Sequence, residues 1–294
     1  NWLVYLRDFW KIGINKMPNT SHIMSKIKFS VVIPTCDRPL LLKETLKSVF
    51  SQSFPPDEIL IIDNGNRQVD AKIFDGNARV RYIRALPRFG VAQARNVGIC
   101  LAKGEYIAFL DDDDVWDKNY LKEVASVIDK TKAPVVFGSV KALETGKIIL
   151  PWSQPIEPPQ DFKRQLLRMD PVGTVGSTVV VKRELLLSSS GFDPFLPATE
   201  ERALILDLLL IRNPKFVRAE KAFMHYRTTT NGSRLTDRGN LLKGKIRFLF
   251  KYWKEMDFST RLLYFLGYLQ LKNKKVAGIM RIWKWKKLLR KWGG

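Results

Sequence analysis

Four consecutive aspartates, Asp111 to Asp114, are the residues of this chain with the most distinctive chemistry. They follow a short apolar run that ends at Leu110, as residues after a buried strand would. Adjacent carboxylates repel one another unless a cation or a basic ligand lies beside them. Hard divalent cations such as Mg²⁺ or Mn²⁺ bind carboxylate oxygens and often share them with substrate phosphates. The run therefore indicates a metal and diphosphate site, and the alternative is a solvated acidic turn.

Two further aspartates, Asp37 and Asp63, follow apolar runs of the same kind. Each could bind a ligand. In the alternative interpretation, Asp37 caps the helix that Pro39 opens and Asp63 is an ordinary turn residue. Both roles can coexist, so the aspartates alone do not decide between them.

The elements that would position these aspartates alternate between strand and helix up to about residue 140. Apolar runs at 29–33, 58–62, 80–83 and 106–110 predict strands, and helical spacing at 90–102 predicts a helix. Further along the chain, 176–181 has the pattern of a strand and 200–211 that of a buried helix. Nearly continuous apolar strands indicate a doubly wound, mostly parallel sheet covered on both faces. Ligands of such sheets bind beyond the carboxyl ends of the strands, where Asp37, Asp63 and Asp111 lie.

The chain resembles the family 2 glycosyltransferases through four motifs that occur in the family's order. The resemblance covers roughly residues 27 to 235 and is dense up to about residue 120. It implies a mixed, mostly parallel α/β sheet of the nucleotide-diphospho-sugar transferase fold, in a catalytic domain of residues 27–238. The motifs are VVIPTCDR at 31–38, ILIIDN at 59–64, ARNVG at 94–98 and FLDDDDVW at 109–116.

The resemblance implies a donor site for a nucleotide-diphospho-sugar and a metal, Mn²⁺ or Mg²⁺. The residues that match the family's donor-binding positions are Thr35, Asp37, Asp63, Arg95, Asp111 and Asp112. Asp113 matches the metal ligand, with Asp114 as its competitor because four aspartates leave the register open. Seen without the motif, Arg95 could be a surface arginine on an apolar helix.

An inverting transfer needs a general base that removes the proton of the acceptor hydroxyl. The family draws it from an acidic pair, matched here by Glu200 and Glu201, with Glu201 at the position of the usual aspartate. A glutamate is longer by one methylene. Asp207 stands where the family commonly has arginine, which puts the acceptor side in question. The alternative is that both glutamates only complement the dipole of a helix N-terminus.

A late histidine, His225, is a third candidate metal ligand, because related transferases often supply one to the metal or the diphosphate. A lone histidine after an apolar strand is also commonly a structural residue. Arg227 and Arg234 are further candidates for phosphate contact.

Positive charge is concentrated at the end of the chain. Residues 241–294 contain 15 Lys and Arg and two acids, so that +13 of the net charge of +21 lies there, among tryptophans and other aromatic residues. Cations interleaved with aromatic residues favour an anionic membrane interface. We therefore predict a basic helical appendage at 239–294 that contacts a membrane surface. An appendage with a solvated basic face and a partner-binding amphipathic helix are the alternatives.

The remaining composition bears on location. The presence of only two cysteines, Cys36 and Cys100, fits a reducing compartment. The sequence has no run of about 18 apolar residues, so we expect no membrane span. Residues 1–26 are expected to be an extension outside the catalytic fold. We expect a cytoplasmic protein at the inner face of the cytoplasmic membrane, with a glycan or lipid-linked acceptor.

Two other function classes remain for comparison. A catalytically silent relative of the fold would bind nucleotide or glycan without transfer, as the departures at Glu201 and Asp207 could suggest. A nucleic-acid-binding protein would account for the charge alone, but such proteins carry their cations on the folded domain. The concentration of charge at one end argues against nucleic acid as a partner.

Overall fold

The computed structural model describes residues 27–74, 76–149, 159–168, 176–227 and 238–272. Three predictions concern residues outside these ranges. They are the extension at 1–26, the phosphate candidate Arg234, and the tryptophan-rich part of the appendage at 273–294.

The described residues form eight strands and eight helices. The strands are β1 (Phe29–Thr35), β2 (Glu58–Asp63), β3 (Val80–Arg84), β4 (Tyr106–Phe109), β5 (Val115–Trp116), β6 (Val135–Ala142), β7 (Val179–Lys182) and β8 (Phe216–Tyr226). The helices are α1 (Pro39–Phe50), α2 (Val91–Leu101), α3 (Tyr120–Thr131), α4 (Pro159–Arg168), α5 (Arg183–Leu187), α6 (Glu200–Arg212), α7 (Arg238–Lys251) and α8 (Phe258–Lys272). Short 3₁₀ turns lie at Ala71–Phe74, Gly176–Thr178 and Trp253–Glu255.

All eight strands belong to one mixed sheet with the order β3-β2-β1-β4-β7-β6-β8-β5. The four strands from β3 to β4 are parallel, and β7 runs antiparallel to both of its neighbours. β8 is parallel to β6 and pairs with the short β5 in the antiparallel sense. The predicted fold class, a mixed and mostly parallel sheet between helices, is confirmed.

The sheet is buried on both faces, since successive side chains of a strand point to opposite sides. Val32 of β1 belongs to the core that contains helix α2, whereas Val31 and Ile33 belong to the core that contains helices α1 and α3. All three side chains are fully buried. This double burial explains why the strands have nearly continuous apolar sequences.

The carboxyl ends of the central strands meet at one edge of the sheet. Thr35 at the end of β1 is paired with Asp63 at the end of β2. On the other side of β1, Val32 is paired with Phe109 at the end of β4, two residues before Asp111. The structure thus confirms that the predicted aspartates follow neighbouring strand ends.

Two local predictions were wrong. Helix α1 does begin at Pro39, but its N-cap is Arg38, which makes no side-chain capping bond, and the carboxylate of Asp37 bonds to another loop. Residues 176–178 form a 3₁₀ turn and not the start of a strand. The physical reason is tertiary, because this turn packs beside the guanidinium of Arg95, where a side chain at Gly176 would collide.

The part of the predicted appendage that the structure describes packs on the sheet domain. Phe248 of α7 is fully buried, and Tyr252 and Met256 are 3% exposed in the core that also contains helix α6. Ion pairs join it to α4, for example between Lys163 and Glu255. The predicted boundary at residue 239 therefore does not coincide with a break in the core.

Helix α8 presents an apolar stripe to solvent. Phe258, Leu262 and Phe265 are 79%, 44% and 56% exposed, and their spacing places them on one face of the helix. Thr260, on the other side, is buried. Within the described ranges, no helix combines the length and the apolarity that crossing a bilayer requires.

Candidate active site

Asp63 organises the loop after β2 with both of its oxygens. Its carboxylate accepts hydrogen bonds from the Gly65 and Val69 amides and from the Tyr82 hydroxyl, and it pairs with Arg84 at 2.7 Å. The side chain is fully buried. Burial, with the hydrogen bond to Asp63 as a second cause, raises the pKa of Tyr82. Asp63 therefore shapes the wall of the crevice.

Asp37 joins the loop after β1 to the same neighbouring loop. Its carboxylate accepts hydrogen bonds from the amides of Asn66 and Arg67 at 2.8 and 3.0 Å, and the Arg67 bond is the main cause of its lowered pKa. Its backbone is left-handed, with φ of 57°. Gly65 is required opposite, because a Cβ there would lie 2.7 Å from the Asp37 amide nitrogen. This contact fixes the edge of the crevice.

The aspartate run alternates between buried and accessible carboxylates. Asp112 is 5% exposed and accepts a hydrogen bond from the Thr35 hydroxyl at 2.8 Å, and burial raises its pKa to about 7. Asp114 is 2% exposed and accepts a hydrogen bond from Ser177, and burial raises its pKa as well. A fully solvated acidic turn is therefore excluded. Asp111 and Asp113 retain accessible carboxylates, with side chains 26% and 22% exposed.

Arg38 was not predicted as a site residue. Its guanidinium lies 3.3 Å from the carboxylate of Asp112 and 3.1 Å from that of Asp113. It stands in the first family motif directly after Asp37, which was the signal that could have found it. Ser177, which holds the carboxylate of Asp114 and the amide of Asp111, gave no signal in the sequence.

Arg95 lies at the centre of the site and is 1% exposed. One terminal nitrogen pairs with Asp111 at 2.6 Å, and the other pairs with Glu201 at 2.9 Å and Glu200 at 3.4 Å. The surface-arginine alternative is thus wrong. Arg95 joins the predicted donor side of the site to the predicted base.

The acidic pair, Glu200 and Glu201, occupies the first turn of helix α6. The two side chains differ in solvent exposure. The side chain of Glu200 is 3% exposed, and its Oε2 is buried without a hydrogen-bond partner among the described residues. The side chain of Glu201 is 16% exposed. Burial raises the pKa of both groups, and Glu200 raises that of Glu201 further. Of the two carboxylates, that of Glu201 is the more accessible.

The imidazole of His225, on β8, contacts Asp117 and not the run Asp111 to Asp114. Its Nε2 lies 2.6 Å from Oδ1 of Asp117, whose other oxygen lies 3.7 Å from Lys141. Asp114, as described, is buried against Ser177. Within the part of the chain that the structure describes, no three His, Cys, Asp or Glu residues cluster in a way that would hold a metal ion. The predicted ligands Asp113, Asp114 and His225 are therefore not brought together as a trio.

The accessible carboxylates nevertheless fit a cation of the predicted kind. Mg²⁺ and Mn²⁺ in nucleotide sites often use one or two carboxylates and take their other ligands from phosphates and water. Asp111 and Asp113 are two such carboxylates at one strand end. In the structure each of these carboxylates contacts a positively charged side chain, Asp111 that of Arg95 and Asp113 that of Arg38. Positive groups therefore already lie beside both acids at this strand end.

Asp207, the second departure from the family pattern, has a structural role on α6. It accepts a hydrogen bond from the Tyr252 hydroxyl at 2.8 Å and pairs with Lys251 at 2.9 Å. Lys251 also pairs with Asp193 at 3.0 Å. The position therefore attaches helix α7 to helix α6 and to the loop before it.

Comparisons with known proteins agree with this architecture. The family model described as Glycosyl transferase family 2 matches residues 30–187. A Streptococcus pneumoniae protein, glycosyltransferase GlyG, is 32% identical over 114 residues, which are 37% of this chain and 38% of that protein. The alignment thus spans well under half of that relative.

Longer alignments cover most of the chain at lower identity. The Escherichia coli UDP-Glc:alpha-D-GlcNAc-diphosphoundecaprenol beta-1,3-glucosyltransferase WfgD is 25% identical over 255 residues, covering 84% of this chain and 94% of that protein. The crystal structure of Staphylococcus aureus TarS 1-349 in complex with UDP-GlcNAc superposes with a TM-score of 0.60 at 17% identity, over 85% of this chain and 82% of that one. This likeness concerns the fold.

Proposed function

The chain belongs to glycosyl transferase family 2, and from this premise we propose that it transfers a sugar from a nucleotide-diphospho-sugar to a glycan or lipid-linked acceptor in cell-surface polysaccharide synthesis. The names of relatives support the substrate class, since one uses UDP-glucose with a diphosphoundecaprenol-linked acceptor and another acts in amylovoran biosynthesis. The observation that carries the proposal is the Arg95 network, because it joins strand-end aspartates to an acidic pair.

Glu201 is the general base of this proposal. Its carboxylate removes the proton of the acceptor hydroxyl while that oxygen forms a bond to the anomeric carbon of the donor sugar. The bond between the anomeric carbon and the diphosphate breaks, and the nucleoside diphosphate leaves. Attack from the face opposite the leaving group inverts the anomeric centre. Arg95 orients the carboxylate, and Glu200 flanks it.

The donor side is assigned to the crevice at the strand ends. Thr35, Asp37, Asp63 and Asp112 shape its wall and loops through the bonds described above, and Asp111 presents an accessible oxygen toward the donor. A divalent cation, Mn²⁺ or Mg²⁺, would be held by Asp113 together with the donor phosphates. When bound, it would supply a Lewis acid that stabilises the leaving diphosphate. Asp114 is less suited because it is only 2% exposed, and His225 because its Nε2 contacts Asp117 and not the aspartate run.

We place the protein at the inner face of the cytoplasmic membrane. The apolar stripe of α8 and the charge of +13 in residues 241–294 support this location, because aromatic side chains and cations together favour anionic membrane surfaces. A lipid-linked acceptor would meet the site at such a surface.

The direct test measures nucleotide binding by the wild type and by Asp113→Asn with isothermal titration calorimetry. The ligands are uridine, guanosine and thymidine diphosphates and the corresponding nucleotide sugars, each with and without Mn²⁺. We expect binding of one nucleotide that depends on the metal and is lost in Asp113→Asn. Asp129→Asn, on the exposed end of helix α3, is the matched control and should bind as the wild type does.

Each result has a separate meaning. A folded wild type that binds none of these nucleotides would overturn the donor-site assignment. Binding without donor hydrolysis or transfer would instead identify a silent relative of the fold, in which the departures at Glu201 and Asp207 have abolished the reaction.

A further inference from the structure

Two cations of the C-terminal half have no acidic partner among the residues that the structure describes. Arg202 follows Glu201 on helix α6, and Lys245 lies on helix α7. Within the described ranges, neither forms an ion pair with a carboxylate. The guanidinium of Arg202 stacks over the ring of Phe248 at 3.9 Å and donates a hydrogen bond to the hydroxyl of Tyr264 at 2.6 Å. Both partners are uncharged at neutral pH, so the two positive charges remain uncompensated.

The two cations lie close together. Phe248 follows Lys245 by three residues, which places both on the same face of α7, and Arg202 stacks on that ring. Burial, and secondarily repulsion from Arg202, lowers the pKa of Lys245. Like charges in a half-buried position destabilise the folded chain unless a ligand of opposite charge is bound there.

Unpaired polar atoms lie at the same place. The hydroxyl oxygen of Thr199, a residue only 8% exposed, has no hydrogen-bond partner among the described residues, and neither does the buried Nε of Arg202. Helix α7 approaches this point closely, since a Cβ at Gly244 would lie 3.2 Å from the Thr199 hydroxyl and would collide with the carbonyl of Pro197. Buried polar groups are normally paired, and exceptions call for a physical reason.

We propose that Thr199, Arg202 and Lys245 form a binding site for a phosphate group of the acceptor, between α7 and the helix whose first turn carries Glu201. A phosphate offers several strong acceptor oxygens, which suit a guanidinium, an ammonium and a hydroxyl group together. The inference rests on the proposed transferase function and extends it to the class of acceptor.

The geometry favours the acceptor over the donor as the source of the phosphate. Asp111, assigned to the donor, pairs with Arg95, which also contacts the α6 side chains Glu200 and Glu201. Arg202 contacts Phe248 and Tyr264 of the C-terminal helices instead. The cation pair therefore lies on the side of α6 that faces α7 and α8.

The test uses inorganic phosphate as the probe and the melting temperature of the full chain as the readout. The nucleoside diphosphate that the chain binds is kept saturating together with Mg²⁺, and phosphate is compared with chloride at equal ionic strength. We expect phosphate to raise the melting temperature by about 3 °C at roughly ten times its dissociation constant. Lys245→Met and Thr199→Val should abolish this rise, whereas Lys243→Met on the same helix should retain it.

The variants themselves also report on the site. Without phosphate, Lys245→Met should melt at or above the wild-type temperature, because it removes the repulsion with Arg202. Thr199→Val should also melt at or above the wild-type temperature, since the hydroxyl forms no hydrogen bond with any described residue.

Three outcomes overturn the proposal. They are an equal phosphate response in Lys245→Met and the wild type, no response in the wild type with or without the nucleotide, and a response that appears only when the nucleotide is left out. The last would assign the cations to the donor diphosphate. Stabilisation by uridine, guanosine and thymidine diphosphates is measured in parallel, so a folded chain that binds none of them would refute the proposed function and not this site alone.

Discussion

At the scale of single residues, the site depends on the arginine of helix α2. Arg95 compensates three carboxylates in a position from which water is almost excluded. An uncompensated buried charge is costly, so removing the guanidinium and leaving these carboxylates unpaired should destabilise the protein by about 3 to 5 kcal/mol. The same side chain lowers the pKa of Glu201, which burial and Glu200 raise. Arg95 thereby connects folding with proton transfer.

Replacing Arg95 with lysine should separate these two effects. A single ammonium group cannot contact Asp111 and Glu201 with two opposed nitrogens, as the guanidinium does. We expect Arg95→Lys to fold, to lower kcat/KM by at least about tenfold, and to shift the acid limb of the pH profile to higher pH. Arg81→Lys, whose pair with Glu58 lies outside the site, is the matched control. An unchanged acid limb in Arg95→Lys would remove Arg95 from the positioning of the base.

Glu201→Gln should trade activity for stability. Loss of a general base lowers kcat by about 10² to 10⁴, while donor binding should remain. The environment raises the pKa of Glu201 from 4.5 to about 8, so its protonated form is favoured in the folded chain. The wild type should therefore lose stability relative to Glu201→Gln as pH rises from about 4.5 to about 8.

Urea unfolding at pH 5 and pH 8.5, together with the transfer rate, measures both halves of this prediction. The exposed Glu184→Gln on α5 should show neither effect. Equal pH dependence in Glu201→Gln and the wild type would mean that Glu201 is not the perturbed acid.

At the scale of the elements, the strands could be predicted and several side-chain partners could not. The run at 58–62 is followed by Asp, Asn and Gly, and the strand ends there as local chemistry predicts, whereas β1 continues through Pro34 to Thr35. Arg95, in contrast, stands among apolar helical residues as a surface arginine also would. Its partners Asp111 and Glu201 are 16 and 106 positions away, and only the folded sheet brings them together.

The same limit applies to the metal ligands and to the departure at Asp207. The sequence could not show that Asp114 would be buried against Ser177 or that His225 would bond to Asp117. Nor could it show that Asp207 would attach helix α7. The family's arginine at that position led to the expectation of altered acceptor geometry, whereas the structure gives the aspartate a packing role.

The attachment of α7 to α6 predicts measurable coupling between Asp207 and Tyr252. The phenol donates a hydrogen bond to the carboxylate at 2.8 Å, and burial together with Asp207 raises the pKa of Tyr252. We expect Asp207→Ala and Tyr252→Phe each to cost about 1 to 2 kcal/mol, with a coupling energy of about 1 kcal/mol in the double-mutant cycle. Urea unfolding measures it. A cycle of Tyr252→Phe with the distant Asp129→Ala should be additive, and additivity in the first cycle would contradict the attachment.

At the scale of the whole molecule, charge and apolar surface are distributed toward the C-terminal helices. The cations of residues 241–294 and the exposed stripe of Phe258, Leu262 and Phe265 belong to the same part of the chain. Most of the sheet domain lacks such an excess of charge. This asymmetry along the chain is the basis of the proposed contact between the C-terminal residues and a membrane surface.

Vesicle flotation tests the proposed membrane contact of the C-terminal residues. The full chain should float with vesicles that contain anionic lipids, less with zwitterionic vesicles, and less at high salt. Replacing Phe258, Leu262 and Phe265 with serine should reduce flotation severalfold, whereas Leu187→Ser, an exposed apolar position on α5, should not. Flotation that is insensitive to the triple change would exclude the α8 stripe as the contact.

The Arg95 network also limits which segments of this enzyme could be exchanged with those of a relative in a chimera. A chimera that exchanged the segment around α6 to alter acceptor choice would have to conserve the register between α2 and the first turn of α6. Otherwise the imported acids would meet no guanidinium, or the guanidinium no acids. The two halves of the site are thus not interchangeable modules, because a single side chain is common to both.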